Sequence, residues 1–246
     1  ILSNQDWTFP TNTAYGPGRF KEIGEQCNKF GIKNPLIVTD KGSTELYFIK
    51  ELKELLSKAN IKSDLFFDIS PNPREDEVSV GCKKYKDGSH DAIIAIGGGS
   101  AMDGGKLICL TANNDIPLRD FEFELTPPKI SKDNPFPKII TIPTTAGTGA
   151  ETEITAMVTY LKEGMKFCMW HPDARPVLAL VDPELTLGLP PSLTAWTGVD
   201  AMVHAIEGYC VPGFNPLCDG SAIESLSLIS KSLYLAVEEP KNLVAR

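Results

Sequence analysis

The segment after residue 96 contains three consecutive glycines and a serine: Gly97, Gly98, Gly99 and Ser100. An apolar run precedes them and a stretch of helical character follows. Glycine lets the backbone approach a ligand closely, and the free N–H groups at a helix start favour an anion. These residues therefore predict a pyrophosphate-binding loop, although they do not form the GxGxxG fingerprint. An ordinary strand-to-helix turn is the alternative interpretation.

A second glycine-containing loop, residues 143–149, also follows an apolar run. It supplies the hydroxyl groups of Thr144, Thr145 and Thr148, which can donate to phosphate or ribose oxygens. Alone, this loop could be a capped turn. Open α/β sheets bind ligands in a crevice at the carboxyl ends of their strands, and both loops are predicted to lie there. The pair therefore favours a nucleotide more specifically than either loop does.

A carboxylate, Asp40, ends the predicted strand over residues 35–40. At that position it can accept hydrogen bonds from the two ribose hydroxyls of an adenosine. Its charge would repel a 2′-phosphate, which favours NAD over NADP. A helix N-cap or a turn is an equally reasonable role for this residue.

Three further charged residues are weaker candidates. Asp103 is favourable near a helix N-terminus for dipole reasons alone, and Lys106 could be a solvated residue of the same helix. Lys166, at the start of a predicted strand, could reach a phosphate or the nicotinamide ribose. A solvated lysine at a strand end is the alternative.

Asp200 and His204 lie four residues apart on a predicted helix, so both can reach one metal ion. A mixed oxygen and nitrogen pair suits Fe(II), Mn or Zn, but a hydrogen-bonded pair without metal is at least as common. Glu207 falls on a similar face and is a reserve candidate. The other histidines lack metal-ligand spacing: His90 is predicted at the surface ahead of a strand, and His171 in a loop.

The elements that must position these residues alternate between strand and helix. Such alternation predicts a mostly parallel sheet with helices on both faces. The proline-rich residues 115–137 are predicted to be irregular. The predicted strands cover residues 35–40, 64–67, 92–96, 139–142 and 177–181, and residues 154–160 and 166–169 are predicted to form a hairpin.

After Asp182 the sequence predicts helices only. Ser192 is a candidate N-cap behind two prolines, and Gly208 lies where that helix should end. The predicted fold is therefore a mostly parallel, Rossmann-like nucleotide-binding domain over residues 1–184. The start of an all-helical metal-binding domain, over residues 185–246, follows it.

Composition limits the classes of partner. The net charge of −8 disfavours nucleic acid and acidic membranes, and no apolar run approaches the ~20 residues that cross a bilayer. Residues 1–10 show no signal-peptide pattern. The six cysteines have irregular spacing, which predicts mostly buried, reduced thiols in a cytoplasmic protein.

Six segments, taken together and in order, resemble the iron-containing (group III) alcohol dehydrogenases. The resemblance implies a hydride transfer between NAD(H) and a primary alcohol or aldehyde at a divalent metal, Fe(II) before Zn. Dimerisation is common in this family, so a homodimer is also an expectation. The six segments are residues 37–42, 70–73, 97–106, 143–151, 181–186 and 198–209.

The resemblance also implies roles for matching residues. Asp40 and Asn72 match positions at the adenine ribose, and Leu185 matches a position beside the nicotinamide. Asp200 and His204 match the first two metal ligands. The remaining matches to cofactor-binding positions are Gly97, Gly98, Gly99, Ser100, Asp103, Thr144, Thr145, Thr148 and Lys166.

Two departures from the family pattern affect the expected activity. Ala150 replaces a serine, which removes one hydroxyl donor, and the sequence ends at Arg246, before the helices that carry two further histidine ligands. The expectation is therefore a truncated member that is nearly inactive. The alternatives are a Zn-dependent polyol or glycerol dehydrogenase relative and a catalytically incompetent NAD-binding remnant. A structural or oligomer-forming role is the weakest.

Overall fold

The computed structural model describes residues 11–246, which divide into two compact units. The first unit contains residues 11–144 and 150–182, and the second contains residues 145–149 and 183–246. The sequence indicated a change of character after Asp182 but not the membership of residues 145–149 in the second unit. The prediction for residues 1–10 lies outside the described part of the chain.

The first unit contains a six-stranded sheet whose strands all pair in parallel. Its central strands are nearly continuous apolar runs, as is typical of parallel strands that are buried on both faces, and β4 is buried at every position. The predicted parallel sheet is confirmed. The strands are β1 Thr13–Tyr15, β2 Pro35–Asp40, β3 Asp64–Ile69, β4 Ala92–Gly97, β5 Lys138–Pro143, β6 Thr155–Tyr160, β7 Met165–Trp170 and β8 Leu178–Val181, and the sheet order is β1-β8-β5-β4-β2-β3.

The helices form where apolar residues recur at helical spacing. In the second of them, Phe48, Ile49, Leu52 and Leu56 are buried on one face, whereas Leu46 precedes the helix and is exposed. The α-helices are α1 Ile23–Lys29, α2 Tyr47–Lys58, α3 Glu75–Asp87, α4 Gly99–Ala112, α5 Pro191–Cys210 and α6 Pro216–Glu238.

The strand order reverses between β2 and β4. From β2 the chain proceeds to β3 on one side, and from β4 it proceeds to β5 on the other. A crevice opens at the carboxyl ends of two strands where such a reversal occurs, and ligands of open α/β sheets bind there. Asp40 ends β2 and Gly97 ends β4, so the two residues stand at this switch point.

A bulge interrupts the pairing of β2 with β3 just before the switch point. Val38 pairs with Phe66, but Asp40 pairs with Ile69, so β3 carries one extra residue between these pairs. A bulge of this kind bends the strand and re-aims the residues beside it. The bulge in β3 therefore lies directly beside Asp40.

Residues 115–137 are irregular, as predicted, apart from one 3-10 turn, Leu118–Phe121. Phe121 is fully buried, and its ring packs against the rings of Phe136 and His171 at centroid distances of 6.1 Å in both cases. The predicted hairpin is confirmed as β6 and β7, which pair from Thr155 with Trp170 to Tyr160 with Met165. The irregular segment thus contributes to the apolar core.

The second unit consists mainly of α5 and α6, as the sequence predicted for this region. The helix α5 begins at Pro191, so the prediction of Ser192 as its N-cap is wrong. Proline is favoured at a first helical position, because its missing N–H would have had no partner there. The helix ends at Cys210, two residues beyond the predicted Gly208.

All six cysteines are free thiols, but they are not mostly buried. Cys27 and Cys109 are buried, Cys210 is exposed, and the other three are intermediate. Along residues 11–246, no helix combines the length and the apolar character that crossing a membrane requires.

Candidate cofactor and metal sites

Asp40 and Gly97 lie side by side at the switch point. The half-buried Asp40 accepts a hydrogen bond from Ser43 Oγ at 2.8 Å. Gly97 has a φ of +141°, and a Cβ added to it would lie 3.2 Å from Asp40 Oδ2 and 2.8 Å from the Cβ of Ala101. Both the backbone conformation and the lack of space therefore require glycine here.

The helix α4 begins directly behind Gly97. Gly98 is its N-cap residue, and the Gly98 carbonyl accepts the N–H groups of Ala101 and Met102 at 3.1 and 3.2 Å. The first N–H groups of an α-helix have no carbonyl partner within the helix, and the helix dipole adds positive charge at this end. The loop can therefore hold an anion such as a pyrophosphate.

The turn that carries Asn72 is tied to this helix start. Ser100 Oγ donates a hydrogen bond to the Pro71 carbonyl, while the buried Glu77 accepts hydrogen bonds from the amide and the hydroxyl of Ser70. Asn72 itself is exposed. The structure thus brings Asn72 and Ser100 into neighbouring segments, with the Ser100 hydroxyl already engaged.

Lys106 is only 2 % exposed, so its interpretation as a solvated residue is wrong. Its Nζ donates to the Thr155 carbonyl at 2.7 Å and lies 3.8 Å from Asp103 Oδ1. Burial lowers the pKa of Lys106, which the neighbouring Asp103 opposes. Burial also raises the pKa of Asp103 to about 6, against the opposite effect of Lys106.

The three threonines of the second loop are divided between the two units. In the first unit, Thr144 is buried and its amide donates to the Gly97 carbonyl at 2.9 Å, which joins the ends of β4 and β5. Thr145 and Thr148 belong to the second unit and are half-buried.

The remaining cofactor candidates also fall in different units. Lys166 is exposed on β7 in the first unit, where it pairs with Thr159. Leu185 is buried in a 3-10 turn of the second unit. Glu151 was not predicted as a site residue; it is half-buried, and burial raises the pKa of its carboxyl group. Its place at the end of the second loop's segment was the only available signal.

Asp200 and His204 lie on α5 with their side chains 43 % and 49 % exposed, and Oδ1 stands 3.8 Å from Nε2. Throughout residues 11–246, no cluster of three or more His, Cys, Asp or Glu side chains could hold a metal ion. Glu207 is exposed on the same helix. The donor types of this pair are ones that Fe(II) or Zn accepts.

The other two histidines are structural. The ring of His90 is buried, with Nδ1 at 3.0 Å from the Asn34 carbonyl, so the surface position predicted for it is wrong. His171 is buried as well: its Nδ1 accepts the Asp173 amide, and its Nε2 lies 2.9 Å from the Pro128 carbonyl. The contacts of His90 Nδ1 and of both His171 nitrogens are thus all with backbone groups of the fold.

The profile described as "Iron-containing alcohol dehydrogenase" matches residues 10–183, more than half of the chain. The chain belongs to the iron-containing alcohol dehydrogenase family. The profile of the C-terminal part of the same iron-containing alcohol dehydrogenases matches residues 194–246, and the resemblance inferred from the six segments is confirmed.

Relatives within the iron-containing alcohol dehydrogenase family match nearly all of the chain. Alcohol dehydrogenase 4 of Schizosaccharomyces pombe is 37% identical over 96% of this chain and 55% of its own length. The 1,3-propanediol dehydrogenase of Citrobacter freundii is 35% identical over 98% of this chain and 62% of its own length. A crystal structure of sulfoacetaldehyde reductase from Bifidobacterium kashiwanohense, in complex with NAD+, aligns with a TM-score of 0.88 and 33% identity, over 99% of this chain and 63% of that one. The chain thus spans about 60% of the length of these relatives.

Ala150, which departs from the resemblance pattern, lies in the apolar core of the first unit. It is 5% exposed and belongs to the same buried cluster as Phe121 and Met169. A serine hydroxyl there would need a buried partner. In this member of the iron-containing alcohol dehydrogenase family, the methyl group of Ala150 contributes packing instead.

Proposed function

We propose that the chain binds NAD(H) and is part of an oxidoreductase that transfers a hydride between NAD(H) and a primary alcohol or aldehyde at a divalent metal. The observation that supports this most directly is the placement of the Asp40 carboxylate beside the Gly97 loop at the sheet's switch point. A ribose acceptor next to an anion-binding helix start is the arrangement that a dinucleotide requires.

Each part of the proposed site has a separate task. Asp40 accepts hydrogen bonds from the adenosine ribose, and the N–H groups at the start of α4 hold the pyrophosphate. Residues 1–184 are proposed as the NAD-binding domain. The further proposed contacts are Asn72, Gly97, Gly98, Gly99, Ser100, Asp103, Thr144, Thr145, Thr148, Lys166 and Leu185.

Residues 185–246 are proposed as part of a metal-binding domain, with Asp200 and His204 as ligands. Fe(II) is the first choice because of the family, and Zn the second. When bound, such an ion acts as a Lewis acid on the substrate oxygen. The task of Asp200 and His204 is to hold and orient that ion.

Replacing Asp40 with asparagine is expected to raise the Kd for NADH about tenfold and to lower that for NADPH. The ribose hydroxyls exchange a charged acceptor for a neutral amide oxygen, a loss of about 1.4 kcal/mol, and the 2′-phosphate no longer meets a negative charge. Cofactor fluorescence titrations with both nucleotides measure the two constants.

Asp68→Asn serves as the matched control, because Asp68 is exposed on the neighbouring strand β3 and pairs only with the exposed Lys41 in the described ion pairs. It should leave both constants unchanged. A D40N chain that keeps the wild-type preference for NADH, or a wild-type chain that binds neither nucleotide, would contradict the proposed site.

A second candidate function, nucleotide binding without turnover, is favoured by the two-ligand metal pair. A chain loaded with Fe(II) or Zn(II) is expected to bind NADH but to reduce aldehydes at close to the background rate, because two exposed ligands hold an ion weakly. Stopped-flow or steady-state NADH oxidation measures this. Robust turnover that Asp200→Ala abolishes would show that the pair suffices and would exclude the second candidate.

A further inference from the structure

One edge of β6 is closed by side chains of α4 and by a loop. The Thr155 carbonyl accepts from Lys106 Nζ at 2.7 Å, and the Met157 amide donates to the Asp103 carboxylate. Two residues farther on, the Thr159 amide donates to the Pro73 carbonyl at 2.6 Å. Alternate residues of a strand direct their backbone groups to the same edge. Asp103 and Lys106 thus occupy the place of a neighbouring strand.

The opposite edge of β6 pairs with β7, which carries Lys166. The register places Lys166 opposite Thr159 and Cys168 opposite Met157. The fixed edge of β6 therefore determines where Lys166 stands relative to α4, whose N-terminus is the glycine loop. The charge of Lys166 already acts on Asp103, where it lowers the pKa of that carboxyl group.

Because Lys106 and Asp103 are shielded from water, their geometry depends on the groups that they contact. Lys106 is 2 % exposed, and the Asp103 side chain is 17 % exposed. A buried ammonium is costly unless it is paired and hydrogen-bonded, so the carbonyl and the carboxylate fix the Lys106 side chain in one geometry. The charged and titratable groups that act on this pair from the surrounding elements are Glu151, Glu153, Lys166 and Cys168.

We propose that Asp103 and Lys106 form a clamp that docks the β6–β7 hairpin on α4 and thereby positions Lys166 for the nicotinamide half of the cofactor. Lys106 acts here as a positioning residue, through the hairpin backbone. The proposal rests on the proposed function, because Lys166 has a cofactor to contact only if the first unit binds NAD(H). The clamp would affect binding of the nicotinamide half of the dinucleotide, whereas the glycine loop is proposed to hold its pyrophosphate.

A double-mutant cycle on the 246-residue chain tests this coupling. Lys106→Met and Lys166→Met are each expected to raise the Kd for NADH about tenfold, the size of one lost charge-assisted contact. Because Lys106 acts through Lys166, the double variant should bind NADH no more weakly than Lys166→Met alone. The Kd for AMP, which lacks the nicotinamide half, should stay within about twofold of wild type in all three variants, by calorimetry.

Conservative and distant substitutions separate positioning from general destabilisation. Lys106→Arg retains the charge and the donors, but its larger side chain enters a site that is 2 % exposed, so it should restore part of the NADH affinity that Lys106→Met loses. Lys83→Met, on the exposed face of α3, should change nothing. Hydrogen exchange at the Met157 amide should quicken in Lys106→Met, even without nucleotide. The Asp103 carboxylate accepts this amide, and the substitution removes the Lys106 ammonium beside that carboxylate.

The outcomes distinguish the two proposals. A wild-type chain that fails to bind NADH overturns the proposed function, and the role of Lys166 with it. Additive effects of the two lysine substitutions, a parallel loss of AMP affinity, or unchanged exchange at Met157 overturn the clamp while the NAD site stands.

Discussion

Replacing Gly97 with alanine is expected to lower NADH affinity at least about tenfold and the free energy of unfolding by about 1–3 kcal/mol. The φ of +141° at this position is one that residues with a Cβ rarely adopt. The added Cβ would also lie 2.8 Å from the Cβ of Ala101 and 3.2 Å from Asp40 Oδ2. Relief of these contacts must move the start of α4 or the carboxylate, and both belong to the proposed cofactor site.

Gly31→Ala is the matched control for that substitution. Gly31 also has a positive φ, +70°, but a Cβ there would meet nothing within 4 Å. It should therefore destabilise the fold through backbone strain alone and leave the Kd for NADH unchanged. Urea unfolding and fluorescence titration give the two quantities. Wild-type NADH affinity in Gly97→Ala would show that the loop does not contact the cofactor.

Phe121→Ala is expected to lower the free energy of unfolding by about 3–5 kcal/mol, the typical cost of removing a fully buried aromatic ring. Phe121 lies at the end of the 3-10 turn in the irregular segment, is 0% exposed, and belongs to the core cluster of the first unit. Its loss would leave a cavity beside the rings of Phe136 and His171.

Phe123, two residues along the chain, provides the comparison. It is 56% exposed, so Phe123→Ala should cost much less than Phe121→Ala. Chemical denaturation followed by circular dichroism measures both. Equal costs would mean that the irregular segment is held by its surface contacts and not by the buried ring.

The fold was largely predictable because its signals are local. Buried parallel strands such as β4 consist of continuous apolar runs, and the buried residues of α2 recur at helical spacing. The strand β1 was not predicted, since three residues carry too little pattern. The assignment of residues 145–149 to the second unit depends on packing between segments far apart in sequence, which no local pattern encodes.

The positions of candidate site residues at strand ends could be predicted from the sequence. The burial of other side chains could not. Asp40 and Gly97 end neighbouring strands, so their proximity follows from parallel pairing. The burial of Lys106 was not visible, because it results from the hairpin that covers α4. His90 likewise appeared to be a surface residue, although its ring packs on Tyr85 at a centroid distance of 5.9 Å.

The bulge in β3 also bears on how the chain behaves at high concentration. As the last strand in the sheet order, β3 presents a row of backbone groups that a second sheet could extend. The extra residue between its pairs with Val38 and Asp40 breaks the regular spacing of that row, and the exposed carboxylates of Asp64 and Asp68 add like charges to it. An irregular spacing and charged side chains are features that disfavour the pairing of an edge strand with another sheet.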